Sequence, residues 1–294
     1  MKIGANLENY ALIFPALLIF SVFYLIPFIW IFQLSFFDWD GILPYKSFCA
    51  LANFKEVLFE DFSFWQSMRN AGYITLIALS FQNLLAFLLA LACDRKIRMK
   101  NFYQAVFFIP PILSEIVVGI VWRFIISDVE GVNLVNRILC GVGLQGLVRN
   151  WLVDPDIVLT TISIVHSWKG FGWGFLIFLA GLQTIPKELY EAARIDGAGA
   201  WDSFKKITLP SMMPVIVLVS ILTILGTMQA FALIIGLVGG EFAGHTSVPV
   251  LRILAVMRDS SRFGYACAQG LTFGAVLVII SFIQYMFASR YRRQ

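Results

Sequence analysis

Lys169 stands in the middle of a continuous apolar stretch, about twelve residues from one end and fourteen from the other. At about 1.5 Å of rise per residue, each interface of a bilayer would lie roughly 20 Å away, farther than a lysine stem can snorkel. An ammonium held there either lines a ligand or water passage or completes a structural ion pair, for which Glu115 is the candidate counter-charge. Glu115 and Arg123 share roughly one face of a helix and suit a polar network between helices as well as a pathway. Thr223 and Thr227, four apart on another apolar stretch, bring two hydroxyls to one face. No pair of acids and no nucleophile beside a base is visible, so the set reads as binding and not catalysis.

Other chemistries fall away by inspection. No G-x-x-x-x-G-K-[ST] occurs and no Lys follows a Gly, so the chain has no loop to cradle ATP phosphates. His166 and His245 cannot furnish HExxH or an all-histidine metal site. Cys49, Cys93, Cys140 and Cys267 lack metal spacing; Cys49 and Cys140 could meet in a disulfide outside the membrane, but free thiols are the expectation. Gly172, Gly174 and Gly181 suit close packing of helices better than a glycine-rich loop.

The elements that must hold these residues follow from composition. Hydrophobic residues make up 59% of 294 and charged residues only 14%, which excludes a soluble enzyme, a disordered regulator and a disulfide scaffold. Apolar runs long enough to span a bilayer occur at about 11–34, 70–93, 102–127, 157–183, 213–238 and 264–288. The expected fold is an all-α membrane protein with six transmembrane helices. With the N-terminus inside, the inner segments hold twelve Lys and Arg in about 52 residues and the outer segments eight in about 89. Lys2, Arg95, Lys96, Arg292 and Arg293 belong to the inner set, so both termini are expected in the cytoplasm. The basic residues are clustered between spans, not on one face, so no nucleic-acid partner is expected. Pro110-Pro111 should break the third span near its inner third.

The organisation read from this pattern is an N-terminal span and outer loop over 1–69, a core over 70–288, and a cytoplasmic tail over 289–294. Within the core, 184–211 is the one long cytoplasmic loop and reads as helix–turn–helix. Pro186 opens the first helix, Gly197 and Gly199 end it, and Leu209-Pro210 launches the next span. Ala192 and Ala193 leave a smooth side for another protein; an amphipathic helix on the membrane surface is the alternative.

Glu191-Ala192-Ala193, then Gly197, then nine residues before Ile207-x-Leu209-Pro210, is the full Glu-Ala-Ala signature, and here the chain resembles the permeases of ABC importers. It is similar in particular to sugar-type permeases related to the large maltose-permease subunit and to glycerol-phosphate and lactose permeases. Gly131-Val-Asn133, Trp151-Leu-Val-Asp-Pro155, Gly181-Leu-Gln183, Asp196-Gly-Ala198 and Gly264-Tyr-Ala266 support this. The chain departs from it where Ala232 follows Phe231 and at Gly239-Gly240-Glu241.

The resemblance implies a type I ABC importer permease fold in a bacterial or archaeal plasma membrane. It makes the loop a coupling helix for a separate ABC ATPase dimer, through Glu191, Ala192, Ala193, Asp196, Gly197, Ile207, Leu209 and Pro210. A second sugar-type permease and an extracytoplasmic solute-binding protein complete the complex, with ATP and Mg on the ATPase and no cofactor on this chain. The span before the loop carries Trp168 as an anchor, and in the maltose relative the flanking positions line the sugar site. They correspond here to His166, Lys169, Gly170 and Trp173, with Thr223 and Thr227 added at similar depth. Carbohydrate import is therefore the expected function. An ABC permease for another small solute such as an amino acid, or an ion-coupled secondary carrier, is the alternative.

Overall fold

The computed structural model describes residues 3–94, 98–127, 133–239 and 244–291, with side chains described from Leu12 to Met286 within them. Lys2, Arg95, Lys96, Arg292 and Arg293 of the charge count lie outside the described residues, as do Gly131, Val132, Gly240 and Glu241 of the family pattern. The described chain is almost wholly helical. Among the described residues five helices are long and apolar enough to cross a membrane: Leu12–Leu34, Phe62–Asp94, Val158–Gln183, Ala200–Met228 and Phe263–Met286. Lys100–Ile112 and Glu115–Ile126, which meet at a bend of 96° and are called the third span below, together have the length and composition of one more.

One compact unit comprises residues 1–64 and 252–276. In its first span Pro27 has no N–H to donate, and the turn before it widens to a π-helix over Ser21–Leu25, with the Ile26 N–H reaching Ser21 O. No side chain from Leu12 to Leu34 is buried. A two-residue ribbon follows, Phe37–Asp38 against Ser47–Phe48, tied down by Asn53, whose amide donates to Ser35 O and Phe37 O at 2.9 and 3.1 Å. A Cβ at Gly264 would collide with Phe37 O, so only glycine lets that helix end touch the ribbon. Asp61 gathers the unit's polar contacts: Tyr265 and Gln269 each donate to it at 2.8 Å, with Arg252 at 3.5 Å. Burial pushes the Asp61 carboxyl up, but the Phe64 N–H, Tyr265, Arg252 and Gln269 outweigh it and hold the group below its ordinary range. Beside it, Arg262 makes a two-pronged pair with Glu56, both contacts at 2.7 Å.

The second unit comprises 65–251 and 277–294. Its core is built on the fourth span, where Phe171, Phe175 and Phe178 pack with Ala86, Ala90 and Met212. Glycines allow the approach, as expected for Gly172, Gly174 and Gly181. A side chain at Gly172 would strike Phe107 O and Pro111, and one at Gly181 would press on Val215 and Met212. Phe107 O is a carbonyl whose helical donor Pro111 lacks, so the freed oxygen faces a residue with no side chain to obstruct it.

Three expectations about this unit need correction. The third span does not break at Pro110-Pro111: the helix runs to Ile112, and extended conformations at Leu113 and Ser114 make the bend one turn later. The fifth span does not start at 213 or end at 238. One continuous helix passes from Ala200 to Met228, and Leu209-Pro210 lies inside it. Pro210 does not launch a new helix; the chain accommodates its missing N–H with a π-helical turn over Phe204–Thr208, the Leu209 N–H bonding Phe204 O. After Met228 the chain breaks at Gln229 and Ala230 and forms a separate short helix, Ala232–Val238.

That short helix crosses Glu115–Ile126 backbone to backbone at Gly119 and Gly236. A Cβ on Gly119 would lie 2.8 Å from the Leu237 nitrogen, and one on Gly236 would lie 3.1 Å from the Gly119 Cα. Gly119→Val is therefore expected to cost about 1–3 kcal/mol through overpacking against rigid backbone. A lower melting temperature of the purified protein in detergent checks it, with Gly146→Val, where nothing lies within 4 Å, as the control.

Candidate functional site

Two places in the second unit gather the residues singled out by sequence. The first is a cavity of about 320 Å³ between the second, third, fourth and fifth spans, and His166, Lys169, Gly170, Trp173, Thr223 and Thr227 all line it. Gln82 and Glu115 line it too. The fourth span supplies four of these residues because their spacing, 166, 169–170 and 173, follows the helical repeat along one face.

Lys169 meets Glu115 at 3.0 Å, with the two side chains 12% and 36% exposed, so the ion pair expected as one alternative is formed while both partners stay on the cavity wall. Glu115 opens the half-helix after the bend, where the positive end of the helix dipole favours a carboxylate. Trp173 is 56% exposed and packs at right angles to Phe108, ring centroids 5.3 Å apart. His166 Nδ1 and Gln82 Oε1 are buried without a hydrogen-bond partner. A polar group left so costs about 1–3 kcal/mol unless a ligand or water satisfies it.

Gly170 lines the cavity and also makes room for Gln82, since its Cβ would lie 2.6 Å from Gln82 Oε1. Thr223 and Thr227 are less available than their spacing suggested. The Thr223 hydroxyl bonds Val219 O at 2.8 Å and Asn83 Oδ1 at 3.0 Å, and the Thr227 hydroxyl bonds Thr223 O at 2.8 Å and Thr75 Oγ1 at 2.7 Å. Each hydroxyl has one proton, and helix packing already uses it. Arg123 does not join Glu115; its guanidinium lies against Gly239, the left-handed cap of the short helix after Phe231.

Gln82 is the residue that span-by-span reading passed over. Its signal was a Gln-Asn pair inside an apolar run. A π-helical turn over Ala78–Gln82 widens the second span there, placing Gln82 on the cavity while Asn83 receives Thr223.

The second place is the loop after the fourth span. Helix Lys187–Ile195 ends in a Schellman cap: Gly197 at φ +80°, its N–H bonding Arg194 O at 3.1 Å, and the Ala198 N–H bonding Ala193 O at 2.8 Å. Glu191, Ala192, Asp196, Gly197 and Pro210 are exposed, Ala193 and Leu209 half-buried. Ile195 and Trp201 are 86% and 72% exposed, large apolar surface beside the signature. Ile207 instead packs inward with Tyr190 against the core, and the Tyr190 hydroxyl shares a 2.9 Å hydrogen bond with Thr208, bracing the loop against the fifth span. No group of three or more metal-ligating side chains occurs among the described residues, and all four cysteines are free.

A mostly apolar cavity among membrane spans that carries an ion pair and a few polar groups, with a loop braced to the fifth span, is the arrangement of a multi-pass transport subunit. Residues 82–293 match the family described as binding-protein-dependent transport system inner membrane component, and the chain belongs to that family, the permeases of ABC importers. The arabinooligosaccharides transport system permease protein AraP of Bacillus subtilis is 32% identical over 92% of this chain and 84% of its own. The trehalose/maltose transport system permease protein MalF of Thermococcus litoralis is 32% identical over 97% and 94%. A chain of a bacterial ABC transporter involved in the import of the acidic polysaccharide alginate superposes with a TM-score of 0.81 at 23% identity, covering 98% of this chain and 97% of that one. That likeness establishes the type I importer permease fold.

Proposed function

We propose that this permease carries a carbohydrate across the plasma membrane, as one of two sugar-type permeases driven by an ABC ATPase dimer and fed by an extracytoplasmic binding protein. The observation that carries the reading is the cavity: six residues chosen from the sequence line it together with Gln82 and Glu115. Its wall combines an exposed aromatic ring, an ammonium and orphaned polar atoms, the groups that hold a hydroxylated ring. The sugar names of AraP and MalF support the same reading.

In this reading the loop 184–211 is cytoplasmic, as are both termini, supported by the denser Lys and Arg of the inner segments. Glu191 and the exposed Ala192 face meet the ATPase, which holds ATP and Mg, while this chain holds no cofactor; the missing phosphate-binding loop supports that division. ATPase closure draws the coupling helices together and turns the spans between inward-open and outward-open states. The binding protein shifts that equilibrium through its differential affinity for the two states.

Trp173→Ala tests the site. The complex is expected to purify in normal yield, and the sugar concentration for half-maximal uptake into proteoliposomes to rise about tenfold, equivalent to about 1.4 kcal/mol. Unchanged uptake would remove the cavity from the pathway.

A further inference from the structure

We propose that Glu115 sets the charge of this cavity and thereby restricts its passenger to electrically neutral saccharides; the inference rests on the carbohydrate reading above. The charged side chains among the described cavity-lining residues are Lys169 and Glu115, and they neutralise each other at 3.0 Å. A carboxylate on the sugar that reaches the remaining ammonium protons is held beside the Glu115 carboxylate, a like charge, with one ammonium shared between them. Such a ligand gives up its hydration without a counter-charge of its own.

A hydroxylated, uncharged ring meets no such penalty. Its hydroxyls donate to His166 Nδ1 and Gln82 Oε1, both buried and unpartnered, and to the carboxylate oxygen of Glu115 that Lys169 leaves free. They also accept from the ammonium protons that Glu115 does not take. The chemistry on the wall is complementary to groups that both donate and accept, and the net charge is zero. Glu115 acts here as a specificity-determining residue, through the charge it cancels.

The test uses the permease purified with its partner subunits in lipid nanodiscs, titrated calorimetrically at about pH 8, where an imidazole of ordinary pKa is uncharged. The probes are maltotriose, trehalose and lactose as neutral saccharides, trigalacturonate and an alginate trimer as anionic ones, and diglucosamine N-trimethylated on both amines as a permanent cation. Wild type is expected to bind at least one neutral probe, and the anionic probes at least about tenfold more weakly. Glu115→Gln raises the anionic-to-neutral affinity ratio at least about tenfold, and Glu115→Gln/Lys169→Gln returns it to the wild-type value. Lys169→Gln, which leaves the opposite charge uncovered, shifts the preference toward the cationic probe and carries the test alone if Glu115→Gln does not fold. Ratios that stay within about threefold in both single variants, with neutral binding retained, overturn the charge inference and leave the carbohydrate reading standing. Absence of saccharide binding by wild type overturns the carbohydrate reading itself, and this inference with it.

Discussion

Lys169→Ala is expected to lower both stability and uptake, and the comparison with Lys169→Met/Glu115→Gln separates the two effects. Removing the ammonium leaves the Glu115 carboxylate without its partner at 3.0 Å. Breaking a fully buried pair this way costs about 3–5 kcal/mol. Glu115 is 36% exposed and keeps the favourable helix end, so the loss should fall to about 1–3 kcal/mol. The double variant removes both charges at little cost in volume and is expected to recover the melting temperature. If Lys169 also serves the sugar, uptake stays low in the double variant, because the donor is gone although the strain is relieved. Melting curves in detergent and uptake in proteoliposomes, run on the same preparations, give the two readouts. Full recovery of both would make Lys169 a structural partner alone.

The Lys169–Glu115 pair shows what a sequence can reveal in a membrane protein. Charges inside apolar runs are expensive, so each one advertises a partner or a ligand, and here the two that stand at matching depth do meet. Span positions were legible for the same reason, since composition and length alone mark them. The internal geometry of the spans was not. Pro110-Pro111 signalled a disturbance, yet the chain turns at Leu113 and Ser114, where Ser114 at the N-cap before Glu115 marks the start of the next helix. The apolar run through 238 gave no sign that the helix stops at Met228, because Ala232–Val238 stays apolar as it packs on Glu115–Ile126 through Gly236. Thr223 and Thr227 looked free because spacing shows which face a hydroxyl occupies, whereas the bonds to Asn83 and Thr75 come from another helix. Gln82 needed the π-helical turn to come into view, and no single residue type encodes that turn.

Gly197→Pro and Glu191→Lys are expected to stop transport by different routes. Gly197 sits at φ +80°, a conformation closed to proline, whose ring fixes φ near −65°. The substitution also removes the N–H that bonds Arg194 O, so the Schellman cap is lost and Lys187–Ile195 no longer ends where the fifth-span helix begins. Open space around Gly197 means the effect is backbone strain and not collision; Gly197→Ala should cost only about 1–2 kcal/mol and keep partial uptake. Glu191 is exposed, so its reversal to Lys should leave the fold and melting temperature alone. What it removes is a charged contact to the ATPase worth about 1.5–3 kcal/mol, or about ten- to hundredfold in docking affinity. Co-purification of the ATPase at rising salt, together with sugar-stimulated ATP hydrolysis and uptake, distinguishes the two. Gly197→Pro should retain ATPase weakly at all salts with a disordered loop. Glu191→Lys should fall furthest below wild type at low salt and approach it as salt rises, because screening weakens both the attraction wild type uses and the repulsion the new lysine adds. Wild-type uptake by both variants would mean that this loop does not transmit the work of ATP hydrolysis to the cavity.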